Sequence, residues 1–329
     1  MTSLKSWPCA AVQNAPLAAR TTMRVGGAAQ WLLEPADPEQ LREAIEAARA
    51  EGIEPRILGG GANLIIEDGV LPGVVITTDR MQRLFRPEPD RALGESMRML
   101  EDPSPRHVAM AREEGLRFVA WSGISLPKLV RSAAKLGWSG LQGLAGVPGN
   151  VGGGVAMNAG GSWGDMWDVV ERLLVIDENA QLVELTREQC QPGYRNARLG
   201  RKVVASALLR FELSDPRTVE EGVREYLQKK NAVQPVTLWS AGCVWKNPDK
   251  NLSGGRSAGQ LVEQAGGKGR SVGGAIVSEK HGNFVVNTGT ASAADVLRLI
   301  GETERLVADK TGIQLEREVK VWRSDLAGA

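Results

Sequence analysis

The sequence is poor in the residues that staple or metallate a small fold. Its three cysteines, Cys9, Cys190 and Cys243, are odd in number and widely spaced, with no CxxC pair. Neither a disulfide framework nor a zinc site is indicated, and a reducing compartment is expected. There are only two histidines, His107 and His281. No run of about eighteen apolar residues occurs, and the opening stretch from Met1 to Pro16 lacks a basic segment followed by a long apolar core. Forty basic against thirty-nine acidic residues leave no overall field that favours nucleic acid or a membrane surface. The patterns GxGxxG and GxxxxGK[ST] are both missing, so any dinucleotide must bind by a scaffold other than the Rossmann or P-loop type. These absences point to a cytoplasmic protein acting on a small molecule, with no nucleic-acid and no membrane partner.

What is present is an ordinary globular balance, 42% hydrophobic and 24% charged over 329 residues, enough for two domains. Glycine is the exception. Thirty-nine glycines cluster at residues 59 to 61, 140 to 164 and 266 to 274, which suggests backbone brought close to a ligand. Asp37 and Pro38 read as the cap and first residue of a helix carrying Leu41, Ala44, Ile45 and Ala48, stopped by Gly52. Strands follow at Ile57-Leu58, Leu64 to Ile66 and Val74 to Ile76, a βαβ-like opening. Residues 86 to 107 hold four prolines among charged residues and read as an irregular segment. Ser125 opens a helix with Leu129, Val130, Ala133 and Leu136. Strand-like runs at 172 to 176 and 203 to 211 lead to Asp215-Pro216-Arg217, where a domain boundary is expected.

The second half reads as a compact α+β domain. It has a helix with Leu261, Val262 and Ala265, strands at Ala275 to Val277 and Phe284 to Val286, and a helix opened by Ser292 and Asp295. From Ile313 to Trp322 the apolar residues alternate with Glu316, Glu318 and Lys320, which predicts one strand with both carboxylates on its wet face.

Two glycine segments carry the chemistry. The turn Gly59-Gly60-Gly61-Ala62-Asn63 lies between two apolar runs, so its amides can form a nest around a phosphate, with Asn63 as a side-chain donor; a plain tight turn is the alternative. The run from Gly146 to Gly160 suits a flat ligand such as a dinucleotide, or else a close-packed glycine crossing. A guanidinium at Arg195 can clamp a carboxylate through paired hydrogen bonds. On pattern alone Arg195 is equally a surface arginine, Cys243 an inert buried thiol, and Glu316 and Glu318 a solvated face paired with Lys320.

Five segments, in order, resemble the UDP-N-acetylenolpyruvoylglucosamine reductase family: Leu58 to Ile66, Gly146 to Gly160, Gly193-Tyr194-Arg195, Ala241 to Pro248, and Ser257 to Gly269. The resemblance spans nearly the whole chain, from Thr22-Met23-Arg24 to Val319. It implies an α+β protein whose FAD-binding domain, of the vanillyl-alcohol-oxidase (PCMH) type in two α/β lobes, covers 14-214, followed by a smaller substrate-binding domain over 218-324. It implies FAD against Gly59, Gly60, Gly61, Ala62, Asn63 and Leu64, against Gly123 in a third flavin-contacting segment, and against Gly149, Asn150, Gly152, Gly153 and Ala156.

The same resemblance gives Arg195 the substrate carboxylate and Glu318 an acid or polarising role. Tyr194, Asn247 and His281 become substrate contacts. Cys243 stands where most relatives have a proton-donating serine; a thiol is the more acidic donor and stays mostly protonated at neutral pH. Val233 stands where many relatives have a substrate-binding lysine, a role open to Lys229 or Lys230. Trp121-Ser122 replaces smaller residues, and the tyrosine-bearing insertion of one subgroup is absent. The implied reaction takes hydride from NADPH through FAD to the enolpyruvyl ether of UDP-N-acetylglucosamine, giving UDP-N-acetylmuramate, in a cytoplasmic monomer. The rival readings are an FAD-dependent alcohol or hydroxy-acid oxidase on the same scaffold and a silent flavin or nucleotide-sugar binder.

Overall fold

In the computed structural model the residues described are 6–87, 116–161 and 163–324. The irregular segment expected over 86 to 107 lies outside them from residue 88 onward, as does His107. The chain builds two sheets that share one helix, then a third sheet.

The first sheet orders Ala10–Pro16, Ala28–Glu34, Val70–Thr77 and Arg56–Leu58, the first pair antiparallel and the other two parallel. The helix Pro38–Ala50 forms where its cap predicts: the Asp37 carboxylate accepts from the Gln40 N–H at 2.8 Å, and Pro38 follows as first residue. Leu41, Ala44, Ile45 and Ala48 are fully buried. They join Leu33, Val74 and Ile76 of the first sheet to Leu174, Ile176, Ala205 and Leu208 of the second. Burial of the two large side chains on this helix contributes roughly 1.5–3 kcal/mol each, so one helix fastens both lobes.

The second sheet is antiparallel throughout: Leu182–Thr186, Val170–Ile176, Val203–Arg210, Arg117–Trp121 and Leu84–Phe85. The helix Leu126–Lys135, capped by Ser125 and ended near Gly137, covers it. Asp215, in the stretch where a domain boundary is expected, caps an 18-residue helix, Pro216–Val233, its carboxylate accepting from the Arg217 and Thr218 N–H groups. That helix buries Tyr226 in the core of the second lobe, beside Trp138, Leu144 and Phe211.

The third sheet orders Trp239–Ser240, Val285–Asn287, Ala275–Val277 and Ser271–Val272, all antiparallel. The long helix Ala293–Thr311 packs on it, opened by the Ser292–Asp295 capping box. Met23, Val25 and Ile65 from the first lobe are part of this core. The chain then returns to the first lobe, where Lys320–Trp322 pairs parallel with Leu64–Ile66.

That return corrects the expectation of one alternating strand over 313 to 322, since only its last three residues are strand. The N–H groups of Glu318 and Val319 both donate to the Val244 carbonyl, at 2.8 and 3.2 Å. Two successive residues sharing one acceptor break the alternation, as a bulge does. The two carboxylates therefore part. Glu316 is 72% exposed and pairs with Lys246, while the Glu318 side chain is 12% exposed.

Candidate active site

The two glycine segments face each other. A Cβ at Gly60 would stand 2.7 Å from the Cα of Gly149, and one at Gly149 would stand 3.3 Å from the Cβ of Ala62. Among the described residues, Gly59, Gly60, Gly61 and Ala62 donate no backbone hydrogen bond within the protein, so four adjacent amides are free to bind an anion. The wall opposite is knitted to the third predicted segment: Leu126 N–H donates to Gly149 O at 2.9 Å, Val151 N–H to Ile124 O at 2.8 Å and Gly152 N–H to Ser122 O at 2.9 Å.

Not every glycine here is small for the sake of a ligand. Side chains at Gly61, Gly123 and Gly152 would collide with Arg20 and Thr21, with Thr78 and Met81, and with Ser122 respectively. A Cβ at Gly153 would meet no protein atom within 4 Å, and Gly153 and Ala156 are exposed on one short helix, Val151–Ala156. Leu64 points into the apolar core of the first lobe. Asn63 donates its side-chain amide to Glu318 O at 3.1 Å, which ties the glycine turn to the C-terminal segment and still leaves one amide N–H.

The cleft fits a dinucleotide on one further count. Thr78 donates its N–H to Leu58 O at the mouth of the glycine turn, and its buried hydroxyl has no partner among the described residues. Buried hydroxyls are normally hydrogen-bonded, and a ligand phosphate or ribose beside the turn would supply the missing partner.

Arg195, Cys243 and Glu318 come together from three separate parts of the chain. The Gly193–Asn196 hairpin holds Tyr194 and Arg195 at its tip, with Arg195 in the left-handed region at φ 52°, a conformation uncommon for a residue with a side chain. The guanidinium is held on three sides: Nε donates to Glu318 Oε1 at 2.9 Å, Nη1 to Asn158 O at 3.2 Å and Nη2 to Gly160 O at 2.8 Å. Of five N–H donors, one on each terminal nitrogen makes no hydrogen bond among the described residues, with Asp165 Oδ1 standing 3.7 Å from Nη1 as an ion-pair partner. Asn158 fixes the hairpin in turn, donating to Gly193 O and accepting from the Trp167 N–H.

Burial raises the Glu318 carboxyl above the ordinary carboxylate range, against the opposing pull of Arg195. The Cys243 thiol is pushed up to about 12, chiefly by burial and then by Glu318, with Arg195 and Lys230 pulling the other way. The thiol is therefore protonated throughout the neutral range.

Lys230, one helical turn beyond Tyr226, completes the cluster. Its Nζ lies 3.9 Å from the position of a Cβ on Gly146, its charge is felt at Cys243, and it has no ion pair among the described residues. Burial first, and Arg195 second, lower its pKa to about 8. Lys229 faces elsewhere, over the Trp163 ring at 4.2 Å and paired with Glu225, and Val233 is exposed. The resemblance leaves this role open between Lys229 and Lys230, and the helix separates them, because it sets Lys230 one turn beyond Tyr226.

Tyr194 is 59% exposed and lies against the Asn247 backbone. Asn247 turns its side-chain oxygen to the Ala258 N–H at 3.1 Å. His281 stands apart from the cluster: its ring rests on Phe284 and near Gly259, Nδ1 accepts from the Asn283 N–H at 3.1 Å, and burial lowers its pKa, so it is a neutral hydrogen-bonding imidazole.

Among the described residues no group of three or more His, Cys, Asp or Glu is placed to hold a metal, and no helix is long and apolar enough to cross a membrane. Residues 234–322 match the family described as UDP-N-acetylenolpyruvoylglucosamine reductase, C-terminal domain, and residues 29–94 and 102–186 match an FAD binding domain. A UDP-N-acetylenolpyruvoylglucosamine reductase of Synechococcus sp. is 38% identical over 94% of this chain and 90% of its own length. That of Deinococcus radiodurans is 36% identical over 97% and 98%. The crystal structure of the reductase from Thermus caldophilus aligns with a TM-score of 0.73 at 32% identity, covering 95% of this chain and 98% of that one.

Proposed function

This chain belongs to the UDP-N-acetylenolpyruvoylglucosamine reductase family of FAD-dependent oxidoreductases, and from that premise we propose that it reduces the enolpyruvyl ether of UDP-N-acetylglucosamine to UDP-N-acetylmuramate with NADPH, in the cytoplasm. The fold is α+β, an FAD-binding domain of the vanillyl-alcohol-oxidase type followed by a smaller α+β domain. The observation that carries the reading is the meeting of Arg195, Glu318 and Cys243 beside the two facing glycine segments.

The free amides of Gly59 to Ala62 and the Thr78 hydroxyl would hold the FAD phosphates, and the bare faces of Gly153 and Ala156 would lie against the cofactor. FAD, when bound, supplies the hydride relay from the nicotinamide to C3 of the enolpyruvyl group. The chain's own work is charge and proton handling. The two remaining N–H groups of Arg195 would take the substrate carboxylate as a fork and stabilise the negative charge that grows there as C3 is reduced. Glu318, with its raised pKa, would assist enol formation by proton or dipole. The Cys243 thiol, loaded with its proton at neutral pH, would deliver it to C2. Lys230, lacking a fixed counter-anion, would meet the substrate diphosphate in the place of the lysine that relatives carry at Val233.

In the test, purified protein is assayed with NADPH and the enolpyruvyl nucleotide. One UDP-N-acetylmuramate per NADPH oxidised is the expected result, and acid precipitation should release free FAD. NADPH consumed without that product would overturn the proposal.

A further inference from the structure

The segments that carry Cys243 and Glu318 run antiparallel on a thin ladder. Lys246 N–H donates to Glu316 O at 2.8 Å, Trp245 bridges to Arg317, and the bulge at Val244 takes both Glu318 and Val319. Such a ladder is prone to slip, because the bulge already offers one carbonyl to two successive amides. The backbone of Trp245 is held on the far side by Asn283, whose Oδ1 accepts from Trp245 N–H and whose Nδ2 donates to Trp245 O, both at 2.8 Å. Nothing in that contact holds the partner segment.

Side chains hold both. Trp245 and Arg317, opposite each other on the ladder, project to the same acceptor, Glu304 on the long helix Ala293–Thr311. Its Oε1 accepts from the Trp245 indole N–H at 2.9 Å and from Arg317 Nε at 2.6 Å, and its Oε2 accepts from Arg317 Nη2 at 2.7 Å. Trp245 is fully buried and the Glu304 and Arg317 side chains are mostly so, at 22% and 31% exposed. Charge-assisted bonds of this geometry are short and directional. Trp245 lies two residues after Cys243, and Arg317 is the residue before Glu318.

We propose that Glu304 is a positioning residue for the reaction: by binding Trp245 and Arg317 with one carboxylate, it sets the register between the Cys243 and Glu318 segments. It touches neither substrate nor cofactor and acts only through those two arms. The inference rests on the reading that Cys243 and Glu318 serve the step in which the enolpyruvyl substrate is reduced. Displacement of a reacting group by about 1 Å costs on the order of 10²-fold in rate, so a loosened register has a measurable effect.

The test uses the holoenzyme anaerobically and times two events, bleaching by NADPH and recolouring by the enolpyruvyl nucleotide. Glu304→Gln should slow recolouring by roughly tenfold or more and leave bleaching within about twofold. The double variant Glu304→Gln/Glu318→Gln should be slowed by clearly less than the product of the two single effects, because the Arg317 arm has lost the group it positions; independent effects would multiply. Trp245→Phe, which removes the indole N–H together with part of a buried ring but leaves the Arg317 arm in place, should show the same one-sided slowing in smaller measure. Glu302→Gln, on the same helix and paired among the described residues with Arg298 alone, should behave as wild type.

Equal slowing of both events, multiplied effects in the double variant, or wild-type recolouring in both Glu304→Gln and Trp245→Phe would overturn the proposal. If Cys243→Ala and Glu318→Gln themselves recolour normally, the assignment beneath it fails and takes the clamp with it. If they are slow while Glu304→Gln is not, the clamp alone fails.

Discussion

Cys243 offers a quantitative test because its thiol must stay protonated to serve as a donor. Burial pushes it up to about 12, whereas an unperturbed thiol ionises near about 8.5. At pH 8.5 the thiolate fraction of Cys243 is then about 10^(8.5−12), roughly 3 × 10⁻⁴, against about one half for an ordinary cysteine. Alkylation by iodoacetamide follows the thiolate, so Cys243 in the substrate-free protein should react roughly 10³-fold more slowly than an unperturbed thiol at that pH. Peptide mapping by mass spectrometry separates it from Cys9 and Cys190, whose pKa values are also raised by burial.

The same protonation keeps the donor loaded as pH rises, so the recolouring rate should show no loss that follows a thiol ionising near pH 8 or 9. Cys243→Ala should lose about 10²- to 10⁴-fold in that step, the usual worth of a positioned acid, and Cys243→Ser should retain much of it. A thiolate titrating near pH 8.5, or an alanine variant slowed less than about tenfold, would refute the reasoning.

Lys230 has the opposite sign: its pKa is lowered to about 8, so its charge is present below that pH and lost above it, and affinity for the nucleotide substrate should fall as pH climbs past about 8. Lys230→Met should raise KM by roughly 10- to 100-fold, the worth of a hydrogen bond to a charged group, and flatten that pH dependence, while Lys229→Met should change KM less than about twofold given its exposed partners. Glu318→Gln should slow recolouring and spare bleaching; Glu316→Gln, removing an exposed pair with Lys246, should do neither, and the reverse pattern would misplace the site by two residues. Gly153→Val should fold normally yet fail to retain flavin, since a Cβ there meets no protein atom within 4 Å, whereas Gly60→Ala should lower thermal stability of the flavin-free protein because its Cβ presses on the Gly149 backbone; flavin content and melting temperature distinguish the two.

Local signals in the sequence were read where one residue decides one bond. Asp37, Ser125 and Ser292 cap the helices they were expected to cap, because a side-chain acceptor at a helix start acts within three residues. The helix after Asp215 was missed although its cap was visible, since most of its surface is exposed and its buried side, Val219 and Tyr226, is sparse. A weak apolar stripe carries a weak periodic signal. The alternation around Glu316 and Glu318 misled because periodicity registers polarity along one chain and not the bulge that Val244 imposes from another. The contacts of Arg195 with Glu318, and of Glu304 with Trp245 and Arg317, join residues far apart in sequence or on different elements. No local pattern encodes such pairs.

The central claim is tested most directly by mixing the protein with NADPH in the absence of oxygen, then adding the enolpyruvyl nucleotide. The account predicts a yellow protein that bleaches with NADPH and regains its colour with the nucleotide, with one UDP-N-acetylmuramate formed per flavin. A bleached protein that stays colourless with the nucleotide and recovers only when oxygen is admitted would contradict it.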